Sequence, residues 1–237
     1  MSQPTPTVLV PIDASSGDAP TTELLSFLSP TKVVLLGWYP VPDQTGSSHM
    51  QAEFGDEAVA FIQSVADDLP DEMDVETTVV FTRDREQTVD RIADEYNCDV
   101  VLIPEDVTRI ERIFVPIRSD VNLPRILPIV SVLMETEDTS CTLFHVAPED
   151  GEDPGTGEVL LRGAADELQD FGVAPESVTT THVVSNDTVE EIVDAAQNHD
   201  LIVMGETEPS LLDRILGDIP TQIIEHSNRP VLVVRDV

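Results

Sequence analysis

The feature that most constrains the fold is a pattern of apolar runs and helical segments that occurs twice along the chain. Residues 8–13 read Val-Leu-Val-Pro-Ile-Asp, and residues 113–118 repeat them as Ile-Phe-Val-Pro-Ile-Arg. Two further pairs follow in the same order: 33–40 with 141–148, and 88–103 with 188–204. Three matches in one order indicate a tandem duplication.

Within each copy, the apolar runs alternate with segments of helical period. The run Val33-Val-Leu-Leu lacks strict polar alternation, which is typical of a strand buried on both faces of a parallel sheet. Asp187 and Glu190 form a capping box before a helical segment that ends near Ala196. This alternation predicts right-handed crossovers and an α/β fold with doubly wound parallel sheets and flanking helices.

The two copies have unequal lengths. After Ile103 only residues 104–111 precede the second copy, whereas residues 205–235 continue the second copy through a loop, a helix and a strand. We therefore predict one repeat at residues 1–110, which lacks the final loop, helix and strand. The second repeat, at residues 111–237, is predicted to be complete.

The charge of the chain is extreme, with 46 acidic residues against 12 basic ones and a formal net charge of −34. Lys32 is its only lysine. This composition is similar to that of proteins from halophiles, in which concentrated salt screens self-repulsion; the Debye length is about 3 Å at 1 M. We interpret the charge as habitat and not as a cation-binding surface. It argues against a nucleic-acid partner, because phosphates would be repelled.

Other sequence features exclude several classes of protein. No run approaches the roughly 18 apolar residues of a membrane helix, so we expect no membrane insertion. The sequence that begins at Met1 does not resemble a signal peptide, and we expect a cytoplasmic protein. Cys98 and Cys141 have no CxxC spacing, and the histidines have no HExxH spacing, so we predict no metal site and interpret both cysteines as small buried residues.

Three motifs in this order resemble the universal stress protein family. They are the two Val-Pro-Ile strands, the run from Asp200 to Gly205 (Asp-Leu-Ile-Val-Met-Gly), and the run from Pro230 to Arg235 (Pro-Val-Leu-Val-Val-Arg). The chain looks like a tandem member of halophilic archaeal type. The resemblance implies two repeats of the adenine-nucleotide-hydrolase-like fold, and a family that is usually dimeric. Some of its members bind ATP, and others bind no nucleotide.

The resemblance also implies where a nucleotide would bind. Members that bind ATP carry an aspartate after the first strand and a Gly-x-x-Gly, nine residues, Gly-Ser/Thr loop at the phosphates. Glycines suit that loop because the backbone must approach the phosphate oxygens. Carried over to this sequence, the candidate contacts are Asp13 and Ser15 in the first repeat and Arg118, Gly205 and Gly217 in the second.

The loop departs from the family pattern in ways that weaken a phosphate site. Glu208 stands at the second glycine position, Gly217 comes one residue early, and Asp218 replaces the hydroxyl residue. A carboxylate repels a phosphate charge by about 1 kcal/mol at 4 Å in water, and by more when desolvated. Neither repeat has a complete site, and we expect weak or absent ATP binding and no required cofactor.

Each candidate also has a purely structural interpretation. Asp13 either contacts a ligand or ends the strand and caps the next helix. Gly205 is either a phosphate contact or a packing glycine, and Gly217 with Asp218 either binds phosphate or begins a helix. Arg118 lies where α/β sheets bind ligands, so it either takes an anion or pairs with a carboxylate. The structural interpretation is favoured for each of them.

No nucleophile–base pair or Walker loop appears, so we predict a non-catalytic stress-response regulator that acts through an unidentified protein partner. The alternatives are a nucleotide-sensing switch, an accessory regulator of a membrane transporter and, least favoured, an ATP hydrolase. The apolar strand from Val231 to Val234 has no counterpart in the first repeat. Because apolar edges are rarely left bare, we predict that it pairs with a second copy of the chain in a homodimer.

Overall fold

The structure, a computed structural model, describes residues 4–135, 138–149, 154–206 and 218–236. The strands in these ranges are β1 (Thr7–Asp13), β2 (Lys32–Pro40), β3 (Asp74–Thr82), β4 (Val100–Ile103), β5 (Arg112–Pro116), β6 (Ser140–Ala147), β7 (Val178–Val184), β8 (Leu201–Gly205) and β9 (Val231–Val234). The helices are α1 (Thr22–Phe27), α2 (Ser47–Asp67), α3 (Arg85–Glu95), α4 (Leu123–Leu133), α5 (Pro154–Asp170), α6 (Thr188–Ala196) and α7 (Asp218–Ser227).

These strands form a single sheet in the order β3-β2-β1-β4-β9-β8-β5-β6-β7. Neighbours run parallel except for β4 and β9, which pair antiparallel with Val100 opposite Val234. As a result β1–β4, which we call the first strand set, run in one direction. Strands β5–β9, the second strand set, run in the other. The predicted α/β fold with flanking helices is confirmed, although the two strand sets join in one sheet. Their carboxyl ends lie at opposite edges of that sheet.

The predicted homodimer through Val231 to Val234 is wrong, because β9 has no free edge. One side of β9 pairs with β4, and its other side pairs parallel with β8, where Val203 lies opposite Leu232. Residues 104–111, between β4 and β5, form no strand or helix. Strand β9 therefore covers, within the same chain, the edge of β4 that would otherwise be open.

Helices cover both faces of the sheet, and the two faces differ in continuity. On one face α1, α2, α4 and α5 pack over both strand sets in one continuous hydrophobic core. On the other face the core is divided: α3 packs over the first set, and α6 and α7 pack over the second. Neighbouring residues of β1 enter different cores, Val8 on the continuous face and Leu9 on the divided one, as strand alternation requires.

Three helices begin at side chains that accept a backbone N–H. The Thr21 hydroxyl accepts from Leu24, the Asp84 carboxylate from Gln87, and the Asp187 carboxylate from Glu190. Such caps satisfy amide groups that have no partner within the helix. The helix start predicted at Asp187 is confirmed.

One glycine permits a close contact between a helix and each strand set; it lies in the strand in the first set and in the helix beside the second set. A Cβ atom on Gly37 of β2 would lie 2.5 Å from Cγ1 of Ile62 in α2. A Cβ atom on Gly157 of α5 would lie 2.6 Å from Cδ2 of His145 and 2.7 Å from Nε2 of His182. Both distances are far inside ordinary van der Waals contact, so any side chain at either position would force the neighbouring groups apart.

Both cysteines are buried and unbonded to each other, as predicted. Burial raises the pKa of the Cys98 thiol to about 11 and that of Cys141 to about 12, which keeps both protonated at neutral pH. In the described ranges no helix is long and apolar enough to cross a bilayer.

Candidate functional site

The candidate nucleotide residues fall at two separate places in the fold. Ligands of open α/β sheets bind at the carboxyl edge where the strand order reverses, here between β1 and β4 and again between β5 and β8. Asp13 ends β1, Gly205 ends β8, and Arg118 follows β5. Because the strand sets run in opposite directions, Asp13 and Ser15 lie together at one edge, whereas Arg118 and Gly205 lie at the opposite edge.

Asp13 holds a tight local turn. Its Oδ1 accepts hydrogen bonds from the backbone N of Ser15 at 2.9 Å and from the Ser15 hydroxyl at 2.6 Å. The Ser16 hydroxyl donates to the Asp13 carbonyl at 3.0 Å. The suggestion that Asp13 caps the following helix is wrong, because the cap of α1 is Thr21. The Asp13 carboxylate and the Ser15 hydroxyl thus bond to each other at the end of the strand.

Gly205 lies beneath the side chain of Asn122, the residue before α4. A Cβ atom at Gly205 would be 2.8 Å from Nδ2 of Asn122, and this Nδ2 donates to the carbonyl of Glu206 at 2.9 Å. The bare backbone of Gly205 is therefore covered by a polar side chain of the same chain. Asn122 lies 83 residues before Gly205 in the sequence, and sequence reasoning did not find this contact.

Arg118 is exposed after β5, and in the described part of the chain no carboxylate forms an ion pair with it. The expected pairing is therefore not observed there. Gly217 and Glu208 lie outside the described residues. Asp218 is the first residue of α7.

A group of charged residues that the sequence did not indicate joins the two strand sets beside β9. Arg235, which is almost completely buried, donates to the Cys98 carbonyl at 3.0 Å and to Asp94 of α3 at 2.6 Å. Glu206 is also buried, and its Oε2 accepts the backbone N–H of Asp236 at 2.9 Å. These contacts connect α3, which packs over the first strand set, with the ends of β8 and β9.

Burial raises the pKa values of two acids in this group, Asp90 of α3 and Glu206. Burial raises the pKa of Asp90 to about 6; Arg235 opposes the increase, and Glu206 and Asp94 add to it. Burial likewise raises the pKa of Glu206, against the opposing charges of Arg235 and Arg125. Two carboxyl groups with raised pKa values face one buried guanidinium, which is an arrangement typical of a structural charge network as well as of a functional site.

A pair of histidines is a second feature that sequence reasoning missed. His145 of β6 and His182 of β7 lie opposite each other, and their rings stack with centroids 5.6 Å apart. Nδ1 of His145 lies 2.7 Å from the Ile117 carbonyl and donates to it. The pair lies under Gly157 of α5. In the described ranges no group of three His, Cys, Asp or Glu side chains is placed to hold a metal ion.

A cleft of about 320 Å³ lies between the strand sets. Its lining includes Pro6 and Asp99 at the amino ends of β1 and β4, Pro124 and Arg125 of α4, and Arg235 after β9. It is therefore at the end of β1 that is remote from Asp13. Arg125 also pairs with Asp236 at this place.

The comparisons with known proteins agree with this architecture. A universal stress protein from Archaeoglobus fulgidus superposes with a TM-score of 0.69 over 97% of this chain and 96% of that chain, at 16% identity. A protein of unknown function from Pseudomonas aeruginosa superposes with a TM-score of 0.58 over 98% of this chain and 92% of that chain, at 13% identity. At these identities the likeness shows the fold.

Sequence comparison supplies the family. No protein with a curated description matches the chain. The sequence model of the universal stress protein family matches residues 109–235, which is more than half of the 237 residues. This chain belongs to the universal stress protein family.

Proposed function

We propose that this chain is a non-catalytic stress-response regulator in which ATP binding is weak or lost. The observation that carries the proposal is the separation of the candidate contacts. Asp13 and Ser15 lie at one edge of the sheet, and Arg118 and Gly205 lie at the opposite edge. A single nucleotide cannot contact both groups, because the length of the strands separates them.

The immediate surroundings of the candidates support the same proposal. At the first edge, the Asp13 carboxylate and the Ser15 hydroxyl are already bonded to each other. At the second, Asn122 covers the glycine that a phosphate would have to approach, and its amide is bonded to the Glu206 carbonyl. These groups already have hydrogen-bond partners within the chain, so a nucleotide would exchange existing bonds for new ones, and such an exchange contributes little net affinity.

The proposal includes the division into repeats at residues 1–110 and 111–237. Strands β1–β4 and strands β5–β8 have the same internal order, in which the second and third strands lie on one side of the first and the fourth lies on the other. One contact is also repeated: Asp99 accepts the backbone N–H of Thr7, and Asp200 accepts that of Arg112. These likenesses support a duplication after which the first repeat has no strand equivalent to β9.

Calorimetric titration of ATP with magnesium, in molar potassium chloride, tests the loss of binding. The salt is chosen because the composition indicates a habitat of concentrated salt. We expect no saturable heat at protein concentrations of about 0.1 mM, which would detect a Kd near 1 mM or tighter.

Two variants make a positive result interpretable. Asp13→Ala removes the candidate ligand, and Asp18→Ala removes the same charge from an exposed position in the same turn region. Saturable binding by the unmodified protein that Asp13→Ala weakens and Asp18→Ala does not would contradict the proposal. It would establish the nucleotide-sensing alternative in its place.

A further inference from the structure

The sheet has two outer edges, β3 and β7, and they differ in charge. Strand β3 carries Asp74 and Glu76, both exposed, and Glu76 pairs with Lys32 of β2. Strand β7 reads Val-Thr-Thr-Thr-His-Val-Val and contains no Asp, Glu, Lys or Arg. Charged residues on an edge strand are a common protection against pairing with another chain. Strand β7 is therefore an outer edge without a formally charged residue in a chain of net charge −34.

The hydrogen-bonding groups of β7 are available along its outer side. Ser185, just after the strand, donates its N–H to the Ala147 carbonyl of β6 at 2.9 Å. By strand alternation the odd-numbered residues of β7 bond to β6, so the even-numbered ones direct their N–H and C=O groups outward. Those residues are Val178, Thr180, His182 and Val184. No strand of the described chain pairs with this side.

We propose that β7 pairs antiparallel with β7 of a second copy, so that the sheet continues across a two-fold axis. With the axis at Thr181, the outward-facing Thr180 lies opposite His182 of the other copy, and Val178 lies opposite Val184. Every outward residue then exchanges backbone hydrogen bonds with another outward residue. Main-chain pairing of this kind is an established mode of strand addition at an exposed sheet edge.

The side chains of β7 are compatible with this register. Thr181 meets its own copy, and Thr179 lies opposite Val183; pairs of β-branched residues are favourable cross-strand neighbours. Val184 is 53% exposed in the single chain and would be covered by Val178. The two copies repel through their net charge, but this interface buries no carboxylate. We therefore expect the dimer to tighten as salt concentration rises.

Proline variants on the two edges test the interface. Thr180→Pro removes an outward N–H from β7 and leaves the ladder to β6 intact. The matched control is Thr77→Pro on β3, because Thr77 and Thr180 are both exposed. The Thr82 carbonyl accepts the N–H of Val41, so the even-numbered residues of β3 bond towards β2. The odd-numbered residues, including Thr77, therefore direct their N–H and C=O groups outward. Sedimentation equilibrium in 2 M potassium chloride gives the mass, and circular dichroism checks that each variant is folded.

We expect the unmodified chain and Thr77→Pro to have twice the 25.9 kDa monomer mass, and Thr180→Pro to weaken the dimer at least tenfold. A monomeric unmodified chain would overturn the proposal. So would a Thr180→Pro variant that dimerises as tightly as the unmodified chain, or a Thr77→Pro variant that dissociates equally.

Disulfide trapping tests the register. Cys98 and Cys141 are buried, so a cysteine introduced into β7 is the reactive thiol of the described chain. Thr181→Cys at the axis would bring two thiols together across a pair that has no backbone hydrogen bonds, within the reach of a disulfide. Thr179→Cys would face Val183 instead. We expect oxidation to cross-link Thr181→Cys and to leave Thr179→Cys mainly uncross-linked; equal cross-linking of the two would contradict this register.

Discussion

The two strand sets pack a helix against their second strand in opposite ways. In the first set the strand carries the glycine: Gly37 of β2 makes room for Ile62 of α2. In the second set His145 occupies the position that matches Gly37 in the sequence repeat, and the helix carries the glycine, Gly157. A close helix–sheet contact requires that one partner lack a side chain, and either partner can be that one.

The two sets also differ in how they end. The second set continues from β8 to β9, whereas the first stops at β4 and is completed by β9. Strand β9 therefore has parallel hydrogen bonds on one side and antiparallel ones on the other. A set of parallel strands can therefore end without a closing strand of its own if a neighbouring set provides a strand of suitable length and direction.

The largest expected effect comes from a proline in β9. Val233→Pro removes an N–H from a strand paired on both sides, and we expect it to lower the free energy of unfolding by about 3 kcal/mol or more. Thr77→Pro on the edge strand β3 is the control and should cost much less. Denaturant titration followed by circular dichroism measures both.

The Val233→Pro variant also tests whether the stability of the first strand set depends on β9. Trp38 of β2 is the single tryptophan, so its fluorescence reports on the first strand set. We expect Trp38 fluorescence and the overall circular dichroism of Val233→Pro to change together at a lower denaturant concentration. If the Trp38 fluorescence transition kept the midpoint of the unmodified protein, the first strand set would be stable without β9. That result would contradict the view that β9 completes the first set.

An intermediate effect is expected at the packing glycines. Gly37→Ala and Gly157→Ala would each place a Cβ atom within 2.6 Å of a neighbouring side chain, at a cost of about 1–3 kcal/mol. Gly163→Ala is the control on α5, because no atom lies within 4 Å of the position that its Cβ would take; it should stabilise the protein by up to about 1 kcal/mol. Thermal unfolding distinguishes them, and equal effects of Gly157→Ala and Gly163→Ala would contradict the packing role.

The smallest effect concerns the aspartate that precedes the fourth strand of each set. Asp99 accepts an N–H from Thr7, whereas Asp200 accepts from Arg112 and Glu111 and also pairs with the Arg112 guanidinium at 3.1 Å. Burial alone would raise the pKa of Asp200, but the hydrogen bonds from Arg112 and the Glu111 N–H outweigh it and lower the pKa. We expect Asp200→Asn to cost about 1 kcal/mol more than Asp99→Asn at pH 7, after allowance for solvent screening.

The difference in free energy of unfolding between Asp200→Asn and Asp99→Asn depends on pH, and its direction follows from the lowered pKa of Asp200. Because the pKa of Asp200 is lower in the folded state than in the unfolded state, its contribution is fully present above the ordinary aspartate pKa of about 4. It is lost as the pH falls through the lower, folded-state pKa. Unfolding titrations at pH 7 and near pH 3 should show the difference between the variants shrinking; a difference that grew on acidification would contradict the ion-pair explanation.

Local patterns in the sequence predicted the α/β class, the buried strands and the helix cap at Asp187, because each depends on residues near one another in the chain. The pairing of β4 with β9 was not predictable in this way. The free edge of β9 could meet either β4 of the same chain or β9 of a second copy. The apolar sequence of β9 suits both partners, so it does not decide between them. The homodimer predicted through Val231 to Val234 failed for this reason.

The candidate site was only partly predictable for a related reason. The motif identified Asp13 and Gly205 as strand ends, but it carries no information on the relative direction of the two strand sets. The cover of Asn122 over Gly205 and the stacking of His145 on His182 are also contacts between distant segments. The uncharged run of β7 was visible in the sequence, but only the strand order shows that it forms an edge.

The position of β9 has a consequence for how the protein is made. Strand β4 ends at Ile103 and its partner β9 begins only at Val231, so the two neighbouring strands are synthesised well apart in time. At roughly 5–20 residues per second, the intervening part of the chain takes on the order of 6–25 s to translate. Throughout that interval the apolar edge of β4 has no partner. The sheet edge formed by β4 is therefore completed only after the whole second strand set has been synthesised.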